Sequence, residues 1–284
     1  MKRQLLVSLL LLTVLQSASA RIIYTRADSL FVVQALSDYR SQAPAAPATL
    51  FFARRLAGRP YVAHTLERFP REEHLIVNTR QLDCTTLVET VVALTIAARA
   101  EQPSWQAFAV ALERIRYRQG RRNGYTSRLH YFSDWIVDNA AMGIVSERQA
   151  PPDAFSAVQT ISVGYMSAHP DAYAALKARP SLVADIRRQE QALSGSKRRY
   201  IPKRLLTDEA LLRQAVNDGD ILAIVTSKAG LDIAHLGFAI WHDDGLHLLN
   251  ASQLHKKVID EPMTLADYMA KHPSFAGIRV VKVK

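Results

Sequence analysis

Leu82-Asp83-Cys84-Thr85-Thr86-Leu87-Val88-Glu89 sets the only cysteine of the 284-residue chain at the start of a helix. Asp83 is a good N-cap, and the apolar run over residues 87–98 reads as a largely buried helix, so Cys84 falls in its first turn. A thiol there feels the positive end of the helix dipole and the unpaired backbone N–H groups, and both favour the thiolate. The sequence therefore predicts a readily ionised sulfur. The plain alternative is a small buried hydrophobe.

What precedes this stretch bears on the choice. Residues 1–20 read as an export signal: Lys2 and Arg3 form a basic start, residues 5–15 an apolar centre too short to span a bilayer, and Ala18-Ser19-Ala20 a cleavage site. An exported chain with one cysteine cannot spend it on an internal disulfide. No second long apolar run follows, so no stable membrane insertion is expected after cleavage. Loss of Lys2 and Arg3 takes the net charge from +10 to +8. A basic exported protein suits anionic cell-wall material better than nucleic acid, which the compartment disfavours.

Working outward, helical spacing occurs over residues 27–39, 50–56, 105–117 and 131–139, and over 173–191 with a break near Pro180. Residues 61–63 and 75–77 read as short extended pieces, 156–164 as strand or loop, and 195–204 as a basic, flexible stretch. After Pro202 the pattern changes. Residues 221–226 form an apolar strand, and residues 235–241 a second. Asp243-Asp244-Gly245 is a hairpin turn, and residues 246–251 return from it. A short helix over 265–270 and a strand over 278–283 finish the chain. The expected fold class is α+β, with the Cys84 helix packed on an antiparallel sheet. Residues 21–284 are expected to make one domain: a helical N-terminal part, a helical insertion over 99–200, and a β-rich part over 201–284.

A thiol nucleophile needs a base, and the same group can later protonate the leaving amine. His235, opening the first hairpin strand, is the best placed of nine histidines. Asn250 on the returning strand can accept its ring N–H and fix the tautomer, with Ser252 on the same face and His247 and His255 as weaker choices. The bland readings are a half-buried strand histidine and a turn asparagine. The oxyanion of an acyl-transfer intermediate would sit at the backbone N–H of Cys84. Metal binding is the rival use, with His242 and His247 flanking the turn beside Asp243 and Asp244. With one cysteine and no HExxH spacing the signal is weak, and no metal or organic cofactor is expected. The basic run from Ser196 to Tyr200 reads as a solvated loop or a clamp for carboxylates.

The Leu82–Glu89 string resembles the nucleophile motif of the N-acetylmuramoyl-L-alanine amidase-like family, first catalogued as a domain of unknown function among NlpC-type, papain-like cysteine hydrolases. Further matching segments are Tyr61-Val62 with Thr65-Leu66-Glu67, then Ser127-Arg128-Leu129-His130-Tyr131-Phe132-Ser133-Asp134-Trp135. Tyr200-Ile201-Pro202-Lys203, Gly219-Asp220-Ile221 and Gly230-Leu231-Asp232-Ile233-Ala234-His235-Leu236-Gly237-Phe238 follow in order. The resemblance covers most of the chain from Tyr61 onward. It implies a papain-like core and cleavage of the amide between the lactyl group of muramic, or anhydro-muramic, acid and L-alanine. It carries over Cys84 and His235 directly. The third position commonly reads His-Ala-Ser in the family and here reads Asn250-Ala251-Ser252. His64 stands where the family often has glycine. Arg128, His130, Tyr131, Trp135 and Tyr200 are the expected substrate-facing residues, with core packing the alternative for Tyr131, Phe132, Trp135 and Ile136, and Asp83 is expected to cap the helix or meet a substrate amide or ammonium. The export signal points to the periplasm first, with the extracellular space as the alternative. Alternatives are a stem-peptide endopeptidase and a non-catalytic muropeptide-binding protein.

Overall fold

Asp83 does cap the central helix. Its carboxylate accepts the Thr86 N–H at 2.8 Å, and Thr86 Oγ1 accepts the Asp83 N–H at 2.9 Å, so each side chain satisfies a backbone donor that the helix leaves free. The computed structural model describes residues 21–284, and the expected export signal lies outside the described residues.

The helices are α1 (Arg26–Gln42), α2 (Ala48–Arg55), α3 (Cys84–Ala98), α4 (Trp105–Arg116), α5 (Phe132–Ala141), α6 (Tyr165–Ala168), α7 (Ala174–Ala178), α8 (Leu182–Leu193), α9 (Glu209–Ala215) and α10 (Leu265–Ala270). The strands are β1 (Ile22–Ile23), β2 (Leu75–Ile76), β3 (Val145–Glu147), β4 (Ala157–Thr160), β5 (Lys197–Pro202), β6 (Ile221–Thr226), β7 (Ile233–His242), β8 (Gly245–Ser252), β9 (Lys257–Asp260) and β10 (Phe275–Val283). β1 and β2 pair in parallel. The main sheet runs β4-β5-β10-β6-β7-β8-β9, with β3 also on β10, and its pairs are antiparallel.

Period-two alternation divides the core between the two faces of this sheet. Ile221, Ala223, Phe238, Ile240 and Leu249 join the cluster built on α3, whose Leu87, Val88, Val91 and Leu94 are fully buried. Leu222, Ile224, Ala239, Leu246 and Leu248 face the other way, onto Leu212 of α9 and Met269 of α10. A third cluster, within the insertion, gathers Tyr125, Tyr131, Met166 and Leu176. The mixed α+β architecture with an antiparallel sheet matches the expectation.

Several expectations need correction. Residues 195–204 are not a flexible loop, because β5 is paired on both sides, with β4 and β10. Two of its basic side chains are held: Arg198 by Glu147, and Arg199 by the Phe155 carbonyl. The insertion is not purely helical, since it gives β3 and β4 to the sheet. β9 had no reading as a strand, because Lys256 and Lys257 hide a short edge that pairs with β8 through Val258 and Ile259. His64 adopts φ 61°, the left-handed region that glycine occupies without strain, which agrees with the glycine common at that position in the resembling family.

Candidate active site

The hairpin β7–β8 brings the imidazole and its partner together. Phe238 pairs with Leu249 and Trp241 with Leu246 across the ladder. His235 and Asn250 therefore project from the same face, and His235 Nε2 lies 3.0 Å from Asn250 Oδ1. An amide oxygen only accepts, so Nε2 carries the hydrogen and Nδ1 keeps the lone pair. Asn250 is fully buried, and its own Nδ2 donates to the Leu248 carbonyl at 3.2 Å, which sets the amide orientation. Gly237 makes this approach possible. A Cβ there would stand 2.7 Å from the Leu249 carbonyl oxygen and from Leu248 Cδ1.

Cys84, at the first helical position of α3, lines the same cavity as His235, a space of about 220 Å³ also walled by Thr85, His130, Tyr131, Phe132 and Asp232. Hydrogen bonds reach its sulfur from the Leu236 backbone and from Thr85. The expected easy ionisation is not what this environment produces. Burial pushes the thiol up to about 12, and the neighbouring Asp83 carboxylate adds to the rise against those hydrogen bonds. The helix dipole favours the thiolate locally, but tertiary packing removes the water that a thiolate needs. His235 is shifted the opposite way. Burial lowers its pKa, the Asn250 hydrogen bond partly opposes this, His272 lowers it further, and Asp83 raises it. At neutral pH the two groups rest as thiol and neutral imidazole, a pair able to transfer one proton as the sulfur attacks.

The remaining sequence-predicted residues divide. His130 and Tyr131 line the cavity. His130 donates from Nε2 to the Tyr125 carbonyl at 3.0 Å, and burial, reinforced by Arg128, pushes its pKa down to about 3. It is a neutral ring whose Nδ1 can accept a hydrogen bond. Tyr131 offers its ring, because its hydroxyl is committed to Glu190 at 2.6 Å. Asp83 serves as the helix cap and as a charge beside the sulfur.

Arg128, Trp135 and Tyr200 are not cavity residues, contrary to expectation. Arg128 is buried and bound at both ends of Glu73, at 3.0 and 2.8 Å, and by Glu67 at 2.8 Å. Its charge is consumed by carboxylates of the preceding loop. Trp135 is fully buried and stacks on Phe132 at 4.9 Å. Tyr200, on β5, packs where Gly277 of β10 leaves no side chain.

Met166 and Tyr173 complete the cavity wall and carried no local signal. Asp232 lies in the family-like segment Gly230–Phe238. Its carboxylate accepts the Ser133 N–H at 2.7 Å, which fixes the start of α5 to the entrance of β7. A second groove of about 550 Å³ shares His235 and is lined by Lys228, Lys256, His272, Leu254, Tyr268 and Phe275, among others, and by no acidic residue among those described.

A family model of N-acetylmuramoyl-L-alanine amidase-like proteins matches residues 51–278. A crystal structure of an N-acetylmuramoyl-L-alanine amidase from Bacteroides uniformis is 38% identical, with a TM-score of 0.77 over 84% of this chain and 100% of that one. A Bacteroides fragilis protein named as a candidate xylanase is 36% identical, with a TM-score of 0.74 over 82% of this chain and 99% of its own. A Legionella pneumophila protein at 23% identity shares the fold, with a TM-score of 0.66 over 88% of this chain and 93% of that one. No curated protein matches the chain.

Proposed function

The chain belongs to the N-acetylmuramoyl-L-alanine amidase-like family, and from that premise we propose that it is an exported cysteine amidase of cell-wall fragments. Its reaction is hydrolysis of the amide between the lactyl group of N-acetylmuramic or anhydro-muramic acid and L-alanine. The observation that carries the mechanism is the Asn250-held imidazole of His235 on the cavity that contains Cys84.

On this reading His235 takes the thiol proton at Nδ1 while the sulfur bonds to the lactyl carbonyl carbon. The oxyanion forms beside the backbone N–H of Cys84, which as the first helical residue has no intrahelical acceptor. His235 then passes the proton to the departing L-alanine nitrogen, and the C–N bond breaks. A water activated by the same ring opens the thioester. The family membership supports a peptidoglycan-related substrate. Among the described residues no helix is long and apolar enough to cross a membrane, and the periplasmic location proposed here rests on residues 1–20.

The two walls suit the two halves of such a substrate. The aromatic side at Tyr131, Phe132 and Tyr173 offers faces for a neutral sugar. The basic side at Lys228 and Lys256 offers charges to stem-peptide carboxylates. Glycoside hydrolysis is less well served. It uses a pair of carboxyl groups across the scissile bond, and among the described residues the cavity wall contributes only Asp232, which is 3% exposed and already engaged with Ser133.

The test is a defined anhydro-muropeptide incubated with the wild-type chain and with Cys84→Ala, with the products read by mass spectrometry. The expected result is an intact stem beginning with L-alanine from the wild type and no turnover from the variant. Cleavage inside the stem would make the protein an endopeptidase. Tight binding without turnover by the wild type would make it a muropeptide-binding protein. Activity retained by Cys84→Ala would remove the thiol from the mechanism.

A further inference from the structure

The hairpin end of β7, β8 and β9 holds ligating side chains that the proposed hydrolysis does not use. His242 closes β7, His247 lies on β8 and Asp260 closes β9, and one ligand atom from each lies within 4.8 Å of the other two. His242 is seven residues along β7 from His235, about 23 Å at strand rise, so this cluster is separate from the cavity of Cys84.

The chemistry at His247 asks for a cation. Its ring is 3% exposed. Nδ1 lies 2.8 Å from the Glu261 carbonyl oxygen, which can only accept, so Nδ1 carries the hydrogen. In the neutral ring Nε2 is then a lone pair. It faces Asp244 Oδ1 at 2.9 Å, a second acceptor. Two acceptors at hydrogen-bond distance repel unless a proton or a metal ion stands between them. His242 brings another imidazole, with Nε2 at 3.0 and 3.1 Å from the two Asp260 oxygens. Its ring meets that of His247 edge to face at 4.5 Å.

Two imidazoles and two carboxylates thus converge on one open depression, which Pro262 and Asp243 also line. The contact from His247 Nδ1 to a backbone carbonyl is the arrangement that orients most metal-bound histidines. Imidazole with carboxylate suits Zn²⁺ and neighbouring first-row divalent ions, at bond lengths of about 2.0–2.2 Å. Tetrahedral ligand atoms then stand about 3.4 Å apart. Rotation of His242, Asp244 and Asp260, each more than a third exposed, closes the remaining gap.

We propose that His242, His247 and Asp260, with Asp244 or water as the fourth ligand, form a structural site for a divalent transition metal of the Zn²⁺ class. It ties three adjacent strands at the turn. Two of those strands carry His235 and Asn250 at their other end, so the ion holds the register on which the imidazole's orientation depends.

A thiol and an imidazole also bind zinc, so the test uses the full chain carrying Cys84→Ala, freed of metal by chelation and titrated with Zn²⁺. One equivalent should bind. At a hundredfold excess over Kd the Tm should rise by about 5–10 °C. His242→Ala and Asp260→Asn, made in the same background, alter exposed positions and leave the buried His247 in place. Loss of an outer partner of a metal site costs about 10–100-fold in affinity, so each ligand loss should cost at least that much and erase the Tm rise. Failure of the Cys84→Ala chain to bind Zn²⁺ stoichiometrically would overturn the proposal. Binding that survives both ligand variants would overturn it equally.

Discussion

Removing the amide of Asn250 tests the proposed chemistry at its most exposed point. In Asn250→Ala the ring N–H of His235 loses an acceptor at 3.0 Å in a place where Asn250 itself is fully buried. A buried donor left without a partner costs about 1–3 kcal/mol. That cost grows as the ring becomes imidazolium in the transition state, so kcat should fall about 5- to 150-fold. Asn250 does not line either groove beside His235, so KM should stay within twofold. Asn250→Asp separates orientation from charge. A carboxylate at this distance raises the imidazole pKa by about 1–3 units against the lowering that burial imposes. The base acts only when neutral, so the acidic limb of kcat/KM should move to higher pH by the same amount. Asn250→His, the residue common at this position in the resembling family, should retain more activity than Asn250→Ala. The assay is the initial rate of L-alanyl stem release from a defined muropeptide between pH 4 and 9. A kcat for Asn250→Ala within twofold of wild type would refute the assigned role. A limb that stays in place in folded Asn250→Asp would refute His235 as the base.

Arg128→Met should cost stability and not substrate affinity. Stripping buried Arg128 from the partly buried Glu73 and Glu67 costs about 3–5 kcal/mol, a Tm drop of about 6–20 °C, whereas a raised KM at unchanged Tm would restore a substrate-facing role. Cys84, with its thiol pushed up to about 12, should react with iodoacetamide at pH 7 about three orders of magnitude more slowly than free cysteine, and alkylation at the free-cysteine rate would contradict its burial. Lys228→Ala and Lys256→Ala should raise KM for muropeptides with free stem carboxylates and leave it unchanged for amidated stems; equal effects on both substrates would remove the charge argument. His130 and His235 both have folded pKa values below the free histidine value of 6.5, so the unfolded chain takes up protons first and stability should fall as pH drops below 6.5, for His130 down to about 3. Urea unfolding at pH 7 and pH 5 measures this, and His130→Gln should flatten the difference between the two.

The features legible in the sequence are those whose causes lie within a few residues. Asp83 and Thr86 cap α3 by contacts three positions apart, and the apolar run that follows can only be buried. The Asp243-Asp244-Gly245 turn sets the β7–β8 register, and period-two alternation then carries His235 and Asn250 to one face. Features decided by distant partners were not legible. The carboxylates that claim Arg128 lie 55 and 61 residues away, so nothing beside Arg128 revealed that its charge was already spent. Met166 and Tyr173 reach the cavity because the insertion folds over it. Basic β5 looks like a solvated loop until β4 and β10 pair with its backbone. The state of the sulfur failed for the same reason. A helix terminus is local, while the desolvation that outweighs it is supplied by the whole fold.

That failure bears on how the proposed amidase would work. A resting thiolate beside an imidazolium would place two charges in a site that hydrates neither well, and burial here disfavours both, raising the sulfur and lowering the ring. The neutral pair avoids that cost until substrate arrives. Charge then develops along the reaction, on an oxyanion at the α3 N-terminus and on an imidazolium whose Nε2–H already points at Asn250 Oδ1. Both acceptor and donor are in place beforehand, so their benefit falls on the transition state and not on the free enzyme, which is the condition for acceleration. The same arrangement protects the residue it uses. Oxidation and disulfide exchange proceed through the thiolate, and a protonated, half-buried sulfur resists both. In an oxidising compartment a lone cysteine stays reduced longest when it ionises only in contact with its substrate.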